Sequence, residues 1–214
     1  MLILKVIIII NKNVMYKRKE VKKLTGDEKF ENSGDKSFTV GDFWQYGFSN
    51  LNSNVLRGVL AEFLVENALK DKTKIDVRNP WDDYDVLSPD KKKIEVKCSS
   101  YLQDWDQKEL SRIVWSGLKA KEIYSVVSEK KQIENVADYK ADIYVFALLK
   151  TKDTKELDIL DMDQWGFYVL SKKDVKRISK NSSSLSLKTL EKTNPEQIHF
   201  KDLTESINNC LMLV

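Results

Sequence analysis

Asp85, Glu95 and Lys97 interrupt a stretch, YDVLSPDKKKIEVKCSS (residues 84–100), whose apolar pattern otherwise reads as strand. Charged groups cost free energy to bury unless they are paired or bind a metal. Two readings are open: a solvated hairpin in a charge-rich chain, or a site. Strand side chains alternate between faces, so Glu95 and Lys97 point one way while Ile94, Val96 and Cys98 point to the core. A turn at Ser88 to Asp90 would carry Asp85, on the preceding strand, close to Glu95. Two carboxylates held together repel unless a cation joins them, and hard oxygen donors suit Mg²⁺.

The tripeptide alone carries little. Glu-x-Lys recurs at Glu20-Val21-Lys22 and Glu129-Lys130-Lys131, both in polar stretches. Only Glu95-Val96-Lys97 sits in an apolar strand with an acidic residue on the strand before it.

A fourth charge comes from a helix. NSNVLRGVLAEFLVENALKD has Asn52, Ser53 or Asn54 as cap and apolar residues Val55, Leu56, Val59, Leu60, Phe63 and Leu64 at helical spacing. Glu62 falls on the border of that apolar face, beside Val55, Gly58, Val59 and Val65. Small Gly58 and Ala61 on this side would let the helix approach a sheet. Glu62 then either points into a site or pairs at the boundary with Arg57 or a nearby lysine.

The elements that must hold these residues follow from periodicity. KIDVRNP reads as a strand ended by Pro80, DDYDVLSPD as a second and KKKIEVKCSS as a third. QDWDQKELSRIVWSGLKAKEIY returns to helical character, with Trp105 and Trp115 as core residues. ADIYVFALLK is a buried strand and QWGFYVLS another. Short helices in KKDVKRISK, LKTLEK and HFKDLTESINNCL surround a loop, NSSSLS. The order predicts a mixed α/β domain over residues 51–214, preceded by residues 1–50. In those first 50 residues, MLILKVIIII reads as a strand or extension, too short to span a bilayer. A basic linker or arm with Lys17, Arg18, Lys19, Lys22 and Lys23 follows, read first as a solvated tract and second as a phosphate contact. The aromatic segment Phe43, Trp44, Tyr46 and Phe48 comes next, expected to staple the arm to the domain, with stacking on bases as the lesser alternative.

Composition excludes several chemistries. The 214 residues carry a formal charge of only +3, so net charge does not argue for nucleic acid or membrane. Cys98 and Cys210 are the only cysteines and His199 the only histidine, which leaves no Cys or His metal spacing and no nucleophile signature. Two cysteines in a lysine-rich chain read as reduced thiols of a cytoplasmic protein. No Walker-A loop is present.

Helix-borne Glu62, then Asp85, then Glu95-Val96-Lys97 on the next strand resembles the PD-(D/E)XK nuclease superfamily of restriction endonucleases and resolvases. The resemblance covers about residues 54–150 and departs at Tyr84, where the signature has proline. It implies a restriction-endonuclease-like core of helix, three strands, helix and strand, and a phosphodiester hydrolase acting on DNA, expected double-stranded. Asp85, Glu95 and the Val96 carbonyl would hold Mg²⁺, with Mn²⁺ able to substitute, and Glu62 a second metal or its water shell. Lys97 would orient water and offset charge on the phosphate; neighbouring carboxylates favour its charged form, so this role is preferred to that of general base. Ser99 and Gln103 would support the site or touch the DNA backbone, or else cap the next helix. Arg112, Lys108 and Lys119 face either phosphate or solvent. Restriction or defence is the expected setting, with repair close behind, and a homodimer would bring the two sites that double-strand cutting needs. The alternative is a nucleic-acid-binding or assembly protein that keeps the fold without catalysis.

Overall fold

The computed structural model describes residues 19–70, 75–120 and 137–214. Its centre is a strand of seven consecutive buried residues, Ile143–Leu149. An apolar run hidden on both faces must lie between two layers. Numbered in chain order, the main sheet comprises β1 (Val86–Leu87), β2 (Lys93–Ser100), β4 (Ile143–Leu149) and β5 (Trp165–Ser171), in the order β1-β2-β4-β5. β2 runs parallel to β4, while β1–β2 and β4–β5 are antiparallel. The result is an α/β architecture with a mixed sheet.

One face of β4, with Val145 and Ala147, meets Ala61, Leu64 and Val65 of α2 (Asn54–Leu69) and Leu203 and Ile207 of α5 (Leu203–Leu211). The other face, with Tyr144, Phe146 and Leu148, meets a second layer. That layer holds α3 (Lys172–Ile178), α4 (Leu187–Glu191) and a two-stranded sheet of β3 (Val114–Ser116) and β6 (Ser184–Ser186). Trp115 of β3 is buried and donates its indole N–H to the Ala147 carbonyl at 3.0 Å, tying the small sheet to the central strand.

α2 begins where the Ser53 hydroxyl accepts the Leu56 N–H at 3.4 Å. The aromatic segment forms its own helix, α1 (Val40–Phe48), nucleated by a capping box. There the Thr39 N–H donates to the Asp42 carboxylate at 2.7 Å and the Asp42 N–H donates to the Thr39 hydroxyl at 3.2 Å. The Gly41 N–H donates to the Gly26 carbonyl at 2.7 Å, and the Trp44 ring lies over Gly26, so α1 packs on this part of the arm. Its Phe43, Trp44, Tyr46 and Phe48 nonetheless stay at least 40% exposed, so no aromatic core forms there.

Several sequence expectations change. Residues 75–79 form no strand; the Lys23 ammonium takes the Ile75 carbonyl that a sheet neighbour would have taken. The second expected strand shrinks to β1, with Asp85 just before it. No helix forms over 103–120. The Gln103 N–H donates to the Gln107 side chain, and Gln107 donates to the Tyr101 carbonyl, so side chains take backbone groups a helix would need. Burial of Ile113 and Trp115 with Val114 exposed then sets a period of two. Trp105, expected in the core, is 56% exposed. The end of the NSSSLS loop is β6. The expected strand at 1–10, Lys17, Arg18 and residues 121–124 of the expected helix lie outside the described residues. Among the described residues no helix is long and apolar enough to cross a membrane.

Ala61 is fully buried against the sheet, whereas a Cβ at Gly58 would meet nothing within 4 Å. Only one of the two small residues is therefore needed for close approach. Gly58→Ala is expected to stabilise the protein by about 0.5–1 kcal/mol through helix propensity. Ala61→Leu is expected to destabilise it by about 1–3 kcal/mol through overpacking. Denaturant midpoints of the two variants check both signs.

Candidate functional site

β2 builds the site from its edge. The Asp85 N–H donates to the Ile94 carbonyl at 3.1 Å, extending the β1–β2 ladder by one rung. The Asp85 carboxylate then accepts the Val96 N–H at 2.8 Å, so a side chain stands where the next backbone partner would be. The N–H and C=O of one strand residue point to the same side, which turns the Val96 carbonyl toward this same edge.

Glu95 and Lys97 lie on the opposite face from buried Ile94 and Val96, in register with Tyr144 and Phe146 of β4. The Lys97 ammonium contacts the Glu95 carboxylate and stands 4.0 Å from Asp85 Oδ2. The three side chains are only 17–24% exposed, so water screens them incompletely. Burial pushes the Glu95 carboxyl above its ordinary range, Asp85 and then Glu62 push the same way, and Lys97 opposes them. Gly117 sits alongside with φ +72°, and a Cβ there would lie 4.0 Å from Lys97 Cε. A left-handed glycine thus turns the chain against the lysine stem.

Glu62 approaches from α2, but its partner is Arg78 and not Arg57 or a lysine. Arg78 Nε and Nη2 fork onto the two Glu62 oxygens, the second at 2.8 Å. The fork lifts the Arg78 guanidinium further above its ordinary value, and Asp85 adds to that at longer range. Arg78 escaped the sequence reading because KIDVRNP read as an ordinary strand; an arginine between acidic residues was the available signal.

Arg57 is buried and caps a different hub. Its Nη1 donates to the Asn52 carbonyl at 2.6 Å and side chain at 3.0 Å, and its Nη2 to the Asn54 side chain at 2.5 Å and Gln103 Oε1 at 2.9 Å. Gln103 also donates to the Ser100 carbonyl and the Ser111 hydroxyl, which makes it a brace at the end of β2 and no helix cap. Ser99 remains half-buried on the face of Glu95 and Lys97. Lys119 lies over the Tyr139 ring at 5.4 Å, while Lys108 and Arg112 line an open cleft beside Trp105. The Cys98 thiol is pushed up to about 12 by burial, with Arg57 pulling the other way, so it is no nucleophile at neutral pH.

Two clefts meet at Asp85. One of about 630 Å³ is lined by Glu62, Arg78 and Asp85, the other of about 150 Å³ by Asp85, Glu95 and Tyr144. Among the described residues no group of three or more Asp, Glu, Cys or His side chains is gathered for a metal ion. Mg²⁺ is commonly held by one or two carboxylates, with water and substrate oxygens completing its shell. Asp85, Glu95 and the Val96 carbonyl fit that donor chemistry. No protein-family model matches the chain, and no curated protein and no solved structure matches it.

The raised Glu95 carboxyl fixes a pH signature. Its contribution to stability is present below the ordinary carboxylate range and is lost as pH rises through the folded-state value. Glu95→Gln should therefore be more stable than wild type at neutral pH, with the gap closing on acidification. Lys97→Met should lose about 1–3 kcal/mol at neutral pH, because Glu95 is left without its cation, and less in acid. Melting temperatures from pH 4 to pH 8 test both; a wild type more stable than Glu95→Gln at pH 7 would contradict the account.

Proposed function

We propose that the chain is a Mg²⁺-dependent nuclease of the PD-(D/E)XK class, hydrolysing phosphodiester bonds of double-stranded DNA. The observation that carries this is the convergence of Asp85, Glu95 and Lys97 at one edge of β2. Supporting it, a helix precedes an antiparallel hairpin, and the next sheet strand lies parallel to the hairpin's second strand. The missing strand at 75–79 and the missing helix over 103–120 are departures from the expected core.

Asp85 and Glu95, with the Val96 carbonyl, would hold the metal, which when bound supplies Lewis acidity toward the phosphate and a more acidic water. Val96 N–H fixes one Asp85 oxygen, so the carboxylate is oriented before anything binds. Lys97, in contact with Glu95, supplies a fixed cation against the negative charge that builds on the phosphate. Restriction or defence is the proposed setting, with repair second, and a homodimer would bring two sites to two strands.

A second reading has one observation in its favour. The Glu62–Arg78 and Glu95–Lys97 pairs already neutralise two of the acids internally, as a non-catalytic nucleic-acid-binding or assembly protein would require. Plasmid nicking with Mg²⁺ or Mn²⁺ separates the two. The nuclease reading predicts metal-dependent cutting that falls by a factor on the order of 10² or more in Lys97→Ala and Asp85→Ala. Absence of cutting on plasmid, linear, single-stranded and branched DNA would favour the second reading.

A further inference from the structure

Arg78 and Glu62 are unequal partners. The arginine side chain is 43% exposed and the glutamate 14%, so the acid is the more covered of the two. A guanidinium has five N–H donors, and the fork on Glu62 uses only two of them. Arg78 lines the cleft of about 630 Å³ together with Glu62 and Asp85. That volume is in the range of pockets that enclose a nucleotide-sized ligand and far exceeds what a metal ion needs. Lys23 lines the same cleft, its ammonium on the Ile75 carbonyl at 2.5 Å.

Charge requires the metal. The larger cleft is lined by Glu62, Glu66, Asp76, Asp82 and Asp85 against Lys23, Lys70 and Arg78, two net negative charges, a balance that the Glu95–Lys97 pair leaves unchanged. A divalent cation would offset those two charges and leave the arginine in the cleft to meet a phosphodiester. Arginine is the side chain whose planar donors match phosphate oxygens best. Glu62 has both oxygens on Arg78, so a metal would compete with the guanidinium for that carboxylate.

We infer that Arg78 grips a phosphate of the substrate strand beside Asp85, and that Glu62 positions Arg78 and is not a metal ligand. The inference rests on the nuclease reading for its substrate. It reverses the role that the sequence resemblance implies for Glu62.

The test uses the full-length protein and the variants Arg78→Ala, Arg78→Lys, Glu62→Gln and Asp85→Ala, each checked for folding by circular dichroism. Three quantities are measured: Mn²⁺ affinity, kcat and KM on plasmid DNA, and the salt dependence of binding to a DNA duplex in Ca²⁺. Arg78→Ala and Glu62→Gln should keep the Mn²⁺ affinity that Asp85→Ala loses. Arg78→Ala should lower kcat/KM by a factor on the order of 10² and reduce the salt slope of DNA binding by about one. Arg78→Lys should recover part of both. The double variant Glu62→Gln/Arg78→Ala should lose no more than Arg78→Ala alone, because the two residues act as a unit.

Loss of Mn²⁺ binding in Glu62→Gln, matching Asp85→Ala, would overturn the inference while leaving the nuclease reading intact. So would an unchanged kcat/KM and salt slope in Arg78→Ala. If the wild type binds DNA without cutting it, the nuclease reading fails and the salt slope alone decides for or against Arg78. A wild type that does not bind DNA overturns both.

Discussion

Two partly buried carboxylates, Asp85 and Glu95, share one close cation, Lys97, at the edge of β2. Like charges in that setting repel and are poorly screened, so they persist only if their surroundings hold them there. The hairpin does so on one side, where the Val96 N–H fixes Asp85. The central strand does so on the other, where Tyr144 and Phe146 stand level with Glu95 and Lys97. The cost is visible at Glu95, whose carboxyl is driven upward by burial before any neighbouring charge is counted.

The core explains how the protein sustains this. Ile94 and Val96 alternate with the charged residues and are buried against α2, so register cannot slip without exposing them. β4 then anchors β2 through seven register pairs and is itself closed on both faces. Trp115 and Gly117 bring the small β3–β6 sheet against the lysine stem. Arg57 joins the start of α2 to Gln103 beyond the end of β2, through the Asn52, Asn54 and Gln103 oxygens. α2, which carries Glu62, is thus fixed relative to the strand that carries Glu95.

What the sequence disclosed is what depends on local pattern. α2, β2, β4 and β5 are legible because their apolar periods are unambiguous, and alternation plus one turn was enough to bring Asp85 to Glu95 and Lys97. What it hid depends on partners far along the chain. Residues 75–79 have strand-like composition but no sheet neighbour among the described residues, and Lys23 answers the Ile75 carbonyl from the arm. Residues 103–112 have helical composition, yet Gln103 and Gln107 spend their amides on the backbone. The Glu62–Arg78 fork spans 16 positions and could not be read from either segment alone. Periodicity reports which face is buried; it does not report which charge a boundary acid will meet.

If Asp85 and Glu95 form the proposed oxygen site for a divalent cation, Mn²⁺ binding followed by electron paramagnetic resonance will report it. The folded wild type should bind Mn²⁺, Mg²⁺ should compete for it, and Asp85→Asn and Glu95→Gln should each abolish binding. Mn²⁺ binding that survives both substitutions, or no binding by the folded wild type, would contradict the proposal.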